Sequence, residues 1–255
     1  MLFAFKDKLE QLEFEKKERK CQFMLQEVKM DEHMRMTERD RKILFVLDKL
    51  GFLYASDLMI ICGFSGIVAC RRRLYILAKN KYLKIAKIED RNAYTLAYKG
   101  YMEIEKINAK QLEKNMGTRH MLLMGSVITF LCCSQGVTLE QIRSDRDLRA
   151  EQYISKGKRV HIPDAAVLHN GKKYAFELEL TAKDPERLKR NINTNAHHYD
   201  YQKWIVPNNR KNIKKNIEKI AKELLLEDKL QVWSLDEILV FLHNKTYGKG
   251  KKRYD

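Results

Sequence analysis

Three acidic residues between Val160 and Thr181 have a spacing that suits a metal site. Asn170-Gly171 is a strong signal for a two-residue hairpin turn, because both central positions of that turn need positive φ. Counting outward from the turn places Asp164 opposite Glu177, and Glu179 lies two residues further along on the same face. Like charges that face each other destabilise a sheet. A hard divalent cation such as Mg²⁺, which takes oxygen ligands and substrate phosphate, would remove that penalty.

The second strand of this hairpin also fits an ordinary half-buried strand. Tyr174, Phe176 and Leu178 alternate with Glu177 and Glu179, and acids on the outer face of such a strand are usually solvated. The turn signal is independent of this alternation, and it is the turn that brings Asp164 opposite Glu177. The sequence therefore predicts a metal-dependent phosphodiester site, with solvated carboxylates as the alternative.

The whole-chain composition favours a polyanionic partner. The 255 residues contain 50 Lys and Arg against 34 Asp and Glu, a net charge of +16. Such an excess points to nucleic acid or to an acidic membrane surface. The five cysteines form no CxxC pair or zinc spacing, which fits a reducing compartment. The first residues turn charged at once, unlike a signal peptide, and the longest apolar run is too short to span a bilayer. We expect a cytoplasmic protein with no integral membrane association.

The segment from Thr37 to about Ile104 predicts a winged helix-turn-helix. Thr37 and Asp40 form a capping-box pattern, Gly51 ends that helix, and a second short helix leads to a turn. A third helix follows Ser65, which can cap it, and then two short strands flank a charged turn. The third helix of this fold enters the major groove of DNA. The predicted DNA-binding residues are Ser65, Arg71, Arg72, Arg73, Lys79 and Lys81.

Two alternatives to DNA binding stay open for this region. An arginine run on a helix is often only a solvated face, and winged helices also mediate contacts between proteins. The position of the run just after a turn and the basic charge of the chain favour DNA.

The rest of the chain predicts an α/β domain with a mixed central sheet. An apolar helix precedes the hairpin, and Asp184-Pro185-Glu186 then marks a helix start with its N-cap. Strands and amphipathic helices alternate from there to the end. The predicted organisation is a helical arm at 1–37, the winged helix at 38–110, the α/β domain at 118–243 and a basic tail at 244–255.

The order of these motifs resembles the PD-(D/E)xK nuclease fold of restriction endonucleases. More narrowly, the chain resembles the replication-relaxation family of plasmid proteins and the MOBC-type mobilisation relaxases, which join a winged helix to such a domain. The resemblance covers about residues 38–240. It rests on His120 in its apolar helix, the SDRDLR segment, Pro163-Asp164, the ELELT strand and Glu186-Arg187-Leu188.

The resemblance implies a restriction-endonuclease-like domain with Asp164 and Glu177 as ligands of Mg²⁺ or Mn²⁺. Glu179 stands where most enzymes of the fold have Lys, so it would ligate the metal or orient water but supplies no positive charge. Lys183, Arg187 or Arg190 would supply that charge. The predicted catalytic residues are Asp164, Glu177, Glu179, Lys183 and Arg187.

Histidine and tyrosine chemistry stays open at this stage. The histidines show no metal-triad spacing, and His120 is kept only as a neighbour of the metal ligands. A nicking relaxase can also use a tyrosine nucleophile, and nothing in the sequence chooses between the candidates. These are Tyr199, Tyr201, Tyr247 and Tyr254.

The sequence therefore predicts a metal-dependent DNA-nicking endonuclease or relaxase that acts in plasmid or mobile-element mobilisation or replication. The partner is double-stranded DNA, with single-stranded DNA, a second copy of the chain and other mobilisation or replication proteins left open. One alternative is a non-catalytic DNA-binding regulator with a degenerate nuclease fold, which the missing Lys favours. Another is a winged-helix module for protein contacts.

Overall fold

A computed structural model describes residues 34–105, 112, 117–154 and 161–248. Most of the predicted helical arm, most of the junction before Thr118 and the end of the basic tail lie outside these residues. The chain divides into Met1–Met36 and one compact unit, Thr37–Asp255, to which everything below belongs.

The first part of this unit has the helices and strands of a winged helix. Three helices are followed by a two-stranded wing, and a short strand between the first two helices adds to the wing in the order β1-β3-β2. All pairings in this small sheet are antiparallel. The elements are α1 (Glu38–Leu50), β1 (Leu53–Tyr54), α2 (Ala55–Ile61), α3 (Ile67–Lys79), β2 (Leu83–Ile88), β3 (Arg91–Leu96) and α4 (Tyr98–Glu103).

Local sequence signals explain most of these boundaries. Thr37 and Asp40 form the predicted capping box at the start of α1, and Gly51 ends it with φ 82°. Gly66, not Ser65, is the N-cap of α3, so the predicted Ser65 cap is wrong. Neither β1 nor α4 is predicted by the sequence, because two residues and six residues are too short to show a period.

The second part is built on a five-stranded mixed sheet. Its order is β4-β5-β6-β7-β8, with β4, β5 and β6 antiparallel and β6, β7 and β8 parallel. The elements are α5 (Thr118–Ser134), β4 (Ile142–Ser144), α6 (Asp145–Ile154), β5 (Ala165–His169), β6 (Lys172–Leu178), α7 (Pro185–His198), β7 (Tyr201–Val206), α8 (Lys211–Glu223), β8 (Leu230–Ser234) and α9 (Leu235–Tyr247), with a 3₁₀ turn at Leu139–Gln141.

The predicted hairpin register is confirmed. Asn170 and Gly171 form the turn with φ of 50° and 71°, and His169 pairs with Lys172. The register continues to the pair of Ala165 and Phe176, so Asp164 and Glu177 are the next residues along.

The carboxyl-terminal part of β6, residues 175–178, is buried on both faces, unlike the half-buried strand that was the alternative. On one face Phe176 meets Trp233 edge-on, and Trp233 in turn meets Phe130 of α5. On the other face α7 and α8 enclose a core around Trp204, which lies beside Glu177 in the register. Because helices cover both sides, the acids of β6 cannot be solvated, and that alternative is wrong.

The fold class is confirmed by this topology. Helices and the five strands of a mixed sheet make an α/β arrangement, and a winged helix precedes it in the chain. One detail differs from the prediction: α9 continues through Tyr247 into the predicted tail. The SDRDLR segment, for which no element was predicted, lies at the end of β4 and in α6. Among the described residues, no helix is long and apolar enough to cross a membrane.

Candidate functional site

Glu177 lies near the carboxyl end of β6 and is only 3% exposed. Asn195 of α7 donates from Nδ2 to Glu177 Oε1 at 2.9 Å, and His161 Nε2 lies 2.5 Å from the same oxygen. A buried carboxylate is costly unless it is hydrogen-bonded or paired. Both partners therefore hold this carboxylate in a fixed orientation.

Glu179 follows the strand end and is equally buried. Its backbone N–H donates to Ile205 O at 2.9 Å, and Lys183 Nζ lies 2.5 Å from its Oε2. Burial raises the pKa of Glu179, the Lys183 ammonium opposes this, and the carboxylates of Glu177 and Asp164 add to the rise. The three acids therefore share one electrostatic neighbourhood.

Asp164 is fixed against the backbone of β6. Its Oδ2 accepts from Leu178 N–H at 2.8 Å and lies 3.3 Å from His120 Nε2, which is 3.0 Å from Leu178 O. Burial lowers the pKa of His120, but the Asp164 carboxylate and the Leu178 carbonyl outweigh burial and raise it overall. His120 thus spans two acceptors at the end of the sheet, as a neighbour of the predicted metal ligands.

The donor types at this site suit a hard divalent cation, but the acids are held apart by their partners. Within the described ranges, no group of three or more His, Cys, Asp or Glu is set to hold a metal ion. Among the described residues, these hydrogen bonds and ion pairs all go to one oxygen of each carboxylate: Asp164 Oδ2, Glu177 Oε1 and Glu179 Oε2. Oxygen donors of this kind are what Mg²⁺ takes.

The predicted cations are only partly brought to the acids. Lys183 reaches Glu179, whereas Arg187 has an exposed side chain and only its backbone N–H is engaged, by the Asp184 cap. Arg149 of α6, which has no predicted role, instead lies within the field of Asp164. Its hydrogen bond to Asp145 raises the pKa of Arg149, and Asp164 adds to that rise. The sequence feature that could have identified Arg149 is its place as the last residue of SDRDLR, four residues after Asp145.

Asn195 is a further site residue that the sequence analysis missed. It lies on the buried face of α7 with Leu188, Asn191 and Ile192, a stripe at helical spacing. Two asparagines in an otherwise apolar stripe are the signal that could have found it, because a buried amide needs a partner.

The predicted DNA-binding residues do not all share one role. Arg73 makes a bidentate contact with the buried Asp40 of α1, at 2.7 Å from Nε to Oδ1 and 2.5 Å from Nη2 to Oδ2. Its guanidinium is therefore part of the winged-helix core. Arg71 is exposed and donates from Nη2 to Tyr247 Oη at 3.3 Å. The remaining four predicted residues are exposed: Ser65, Arg72, Lys79 and Lys81.

The candidate tyrosines lie in different surroundings in the structure. Burial raises the pKa of Tyr199, and Glu177 adds to this, which places Tyr199 within range of the acids. Tyr201 stacks on Tyr174 with ring centroids 5.3 Å apart, and Tyr247 contacts Arg71. Tyr254 lies outside the described residues.

Comparisons with known proteins add little to this geometry. No protein-family model matches the chain. No curated protein matches it either. A solved structure of the restriction endonuclease FokI aligns with 83% of this chain and 46% of its own, at 13% identity and a TM-score of 0.32. The chain thus spans about half of that structure, and a similarity this low carries no functional argument.

Proposed function

We propose that this protein is a DNA-binding, divalent-metal-dependent endonuclease that nicks one strand of DNA. The observation that carries the proposal is the pair of buried acids, Glu177 and Glu179, beside Asp164 at the end of β6. Burying two neighbouring carboxylates lowers stability unless each is compensated. Such an arrangement is typical of a functional site.

Asp164 and Glu177, with Glu179, would hold the cation through the second oxygen of each carboxylate: Asp164 Oδ1, Glu177 Oε2 and Glu179 Oε1. When bound, the cation would polarise a phosphodiester and lower the pKa of an attacking water. His161 and Asn195 fix the Glu177 carboxylate, and His120 together with Leu178 N–H fixes Asp164. Lys183 and Arg149 are the cations that would face developing negative charge on the phosphate.

The winged helix would bring this site to DNA. Arg71, Arg72 and Lys79 on α3 and Lys81 after it are exposed and would contact the duplex. A role as a relaxase in mobilisation or replication of a plasmid or mobile element, in the cytoplasm, is the finer form of this proposal. It rests on the family resemblance of the motifs.

The test is cleavage of supercoiled plasmid with Mg²⁺, Mn²⁺ or EDTA. We expect wild type to produce the nicked circle only with a divalent cation. Asp164→Ala should reduce nicking by at least about 100-fold, since it removes a metal ligand. It should leave duplex affinity unchanged.

Glu218→Gln is the matched control, because Glu218 is an exposed carboxylate on α8 that pairs with Lys214 on the same helix. It should nick like wild type. Nicking retained in Asp164→Ala would contradict the proposal, as would nicking that persists in EDTA.

A non-catalytic DNA-binding regulator is the second candidate, and one observation favours it. Each acid is already engaged by a basic or amide group of the chain, and the described residues hold no ready three-ligand group. This candidate predicts DNA binding without cleavage under every metal, in wild type and in Asp164→Ala alike.

The tyrosine route can be tested on the same reaction. Burial, together with the Glu177 carboxylate, raises the pKa of Tyr199, which places this candidate within range of the acids but opposes formation of the phenolate. A covalent route predicts a protein–DNA adduct on a denaturing gel that Tyr199→Phe abolishes. A hydrolytic route predicts no adduct and nicking by Tyr199→Phe.

A further inference from the structure

A cavity of about 330 Å³ lies beside Asp164, where the winged helix meets the sheet domain. It is bounded by the end of α1, one face of α5 and the start of α6. Asp164 and His120 are among the residues that line it, so the cavity adjoins one of the predicted metal ligands. The residues that matter for its chemistry are Lys49, Met121, Met124, Ile128, Arg146 and Arg149.

The cavity combines an apolar floor with a cationic rim. Met121, Met124 and Ile128 of α5 supply the floor, and methionine adapts its shape to flat apolar ligands. Lys49, Arg146 and Arg149 supply the rim, which also contains the carboxylate of Asp145, paired with Arg149. A ligand that contacts both the floor and the rim must carry a flat apolar part and a nearby negative charge. A nucleotide has both.

The two rim arginines are held in place by the chain. Arg146 donates from Nη1 to Asp48 O at 2.5 Å, which ties α6 to the end of α1. Arg149 Nε lies 2.9 Å from Asp145 Oδ2, and no described group contacts its Nη atoms. A guanidinium oriented in this way presents its remaining N–H groups to a phosphate.

The size of the cavity separates a single nucleotide from a duplex. Its volume is at the lower end of the roughly 300–1,000 Å³ of small-molecule pockets. The major groove of B-DNA alone is about 12 Å wide, so a stacked duplex cannot enter. An unstacked base can, since enzymes that take a base out of the helix seat it between apolar side chains.

We propose that this cavity binds one unstacked nucleotide of a single-stranded or locally melted DNA strand, with its base on the methionine floor and its phosphate on Arg149. The inference deepens the proposed nuclease function, on which it rests, by naming the form of substrate that reaches Asp164. The winged helix would hold the duplex, and the cavity would hold the strand to be cut.

The test measures binding in EDTA, so that it does not depend on cleavage. Fluorescence anisotropy compares a labelled thymidine pentanucleotide, an abasic pentanucleotide and a 20-base-pair duplex. We expect the thymidine oligomer to bind more tightly than the abasic one. Arg149→Ala should weaken the thymidine oligomer about tenfold or more, because a charged hydrogen bond to phosphate is lost, and should leave the duplex unchanged.

Arg143→Ala is the matched control, because Arg143 on β4 is an exposed arginine that lines a different cavity. It removes the same charge and should leave the oligomer affinity within about twofold of wild type. Equal losses in Arg143→Ala and Arg149→Ala would overturn the proposal, as would equal binding of the thymidine and abasic oligomers.

A photocrosslink locates the base without any substitution in the fold. A pentanucleotide carrying 5-iododeoxyuridine should crosslink to the α5 segment that contains Met121 and Met124, and a crosslink confined to the winged helix would overturn the proposal. If the protein never nicks plasmid but Arg149→Ala loses oligomer binding, the cavity proposal is supported and the nuclease function is contradicted. If plasmid is nicked but Arg149→Ala binds the oligomer as wild type does, the nuclease function is supported and the cavity proposal is contradicted.

Discussion

Lys183 and Glu179 form an ion pair whose two ends differ in exposure. The Glu179 side chain is almost fully buried, whereas the Lys183 ammonium is partly exposed. Removing the cation leaves a buried carboxylate uncompensated, which costs more than the pair contributes when intact. The pair therefore has a structural effect that is separable from any role in catalysis.

Lys183→Met should lower the free energy of unfolding by about 1–3 kcal/mol, less than for a fully buried pair because Lys183 reaches solvent. In the Glu179→Gln background the same substitution should cost much less, since no charge is left unpaired. Urea unfolding of the four proteins of this double-mutant cycle measures the coupling.

The exposed pair of Lys189 and Glu223, 3.1 Å apart, is the control for this cycle. We expect its coupling to be below about 1 kcal/mol. Coupling no larger for Lys183 and Glu179 would mean that burial does not strengthen their interaction.

At the scale of elements, α3 carries three consecutive arginines with different tasks. Arg71 and Arg72 are exposed, whereas Arg73 is bound to Asp40, which is fully buried. Burial raises the pKa of Asp40, but the hydrogen bonds from Arg73 and Thr37 outweigh it and lower the pKa overall. Asp40 therefore contributes stability above its unfolded pKa that is lost as the pH falls through its lowered folded pKa.

Arg72→Ala should weaken duplex binding and reduce the slope of log affinity against log salt by about 1, the loss of one phosphate contact. Arg73→Ala should leave that slope unchanged and instead lower the free energy of unfolding by about 2–3 kcal/mol, since it leaves Asp40 unpaired. Salt titrations and urea unfolding of both variants separate the two tasks. Equal salt slopes in the two variants would contradict this division.

The sequence predicts elements wherever a local signal fixes the backbone. Asn170-Gly171 sets the hairpin register, and Asp184 with Pro185 sets the start of α7, which the structure places where predicted. The same reasoning finds the capping box of α1. Short elements such as α4 lack enough residues to show a period, so they are missed.

The partners of the acids could not be predicted in the same way. His161, Asn195 and His120 reach Glu177 and Asp164 from three separate segments, and each contact depends on how helices pack across the sheet. Sequence spacing fixes only contacts within one element or one hairpin. The acids and Lys183 were therefore identifiable and His120 was expected from the family resemblance, whereas the roles of His161 and Asn195 as partners of Glu177 were missed.

For the whole molecule, the seam between the winged helix and the sheet domain contains a buried carboxylate. Asp57 of α2 accepts a hydrogen bond from Ser126 Oγ of α5 at 3.3 Å. Arg91 of β3 and Thr129 of α5 also act on it, and His243 of α9 lines the same small cavity. Burial raises the pKa of Asp57 to about 6, although Arg91 and Ser126 oppose this.

This raised pKa predicts that ionisation of Asp57 loosens the seam as the pH rises. The folded state binds a proton that the unfolded chain, with a pKa of about 3.9, has already released. The resulting stability is fully present below about pH 4 and is lost as the pH rises through about 6.

Asp57→Asn should match wild type near pH 4 and be more stable at pH 7.5 by up to about 3 kcal/mol, which urea unfolding at both pH values measures. Asp90→Asn, on the exposed wing turn, should keep the wild-type pH dependence. If Asp57→Asn also kept it, Asp57 would not be the carboxylate that makes the contact between the two parts sensitive to pH.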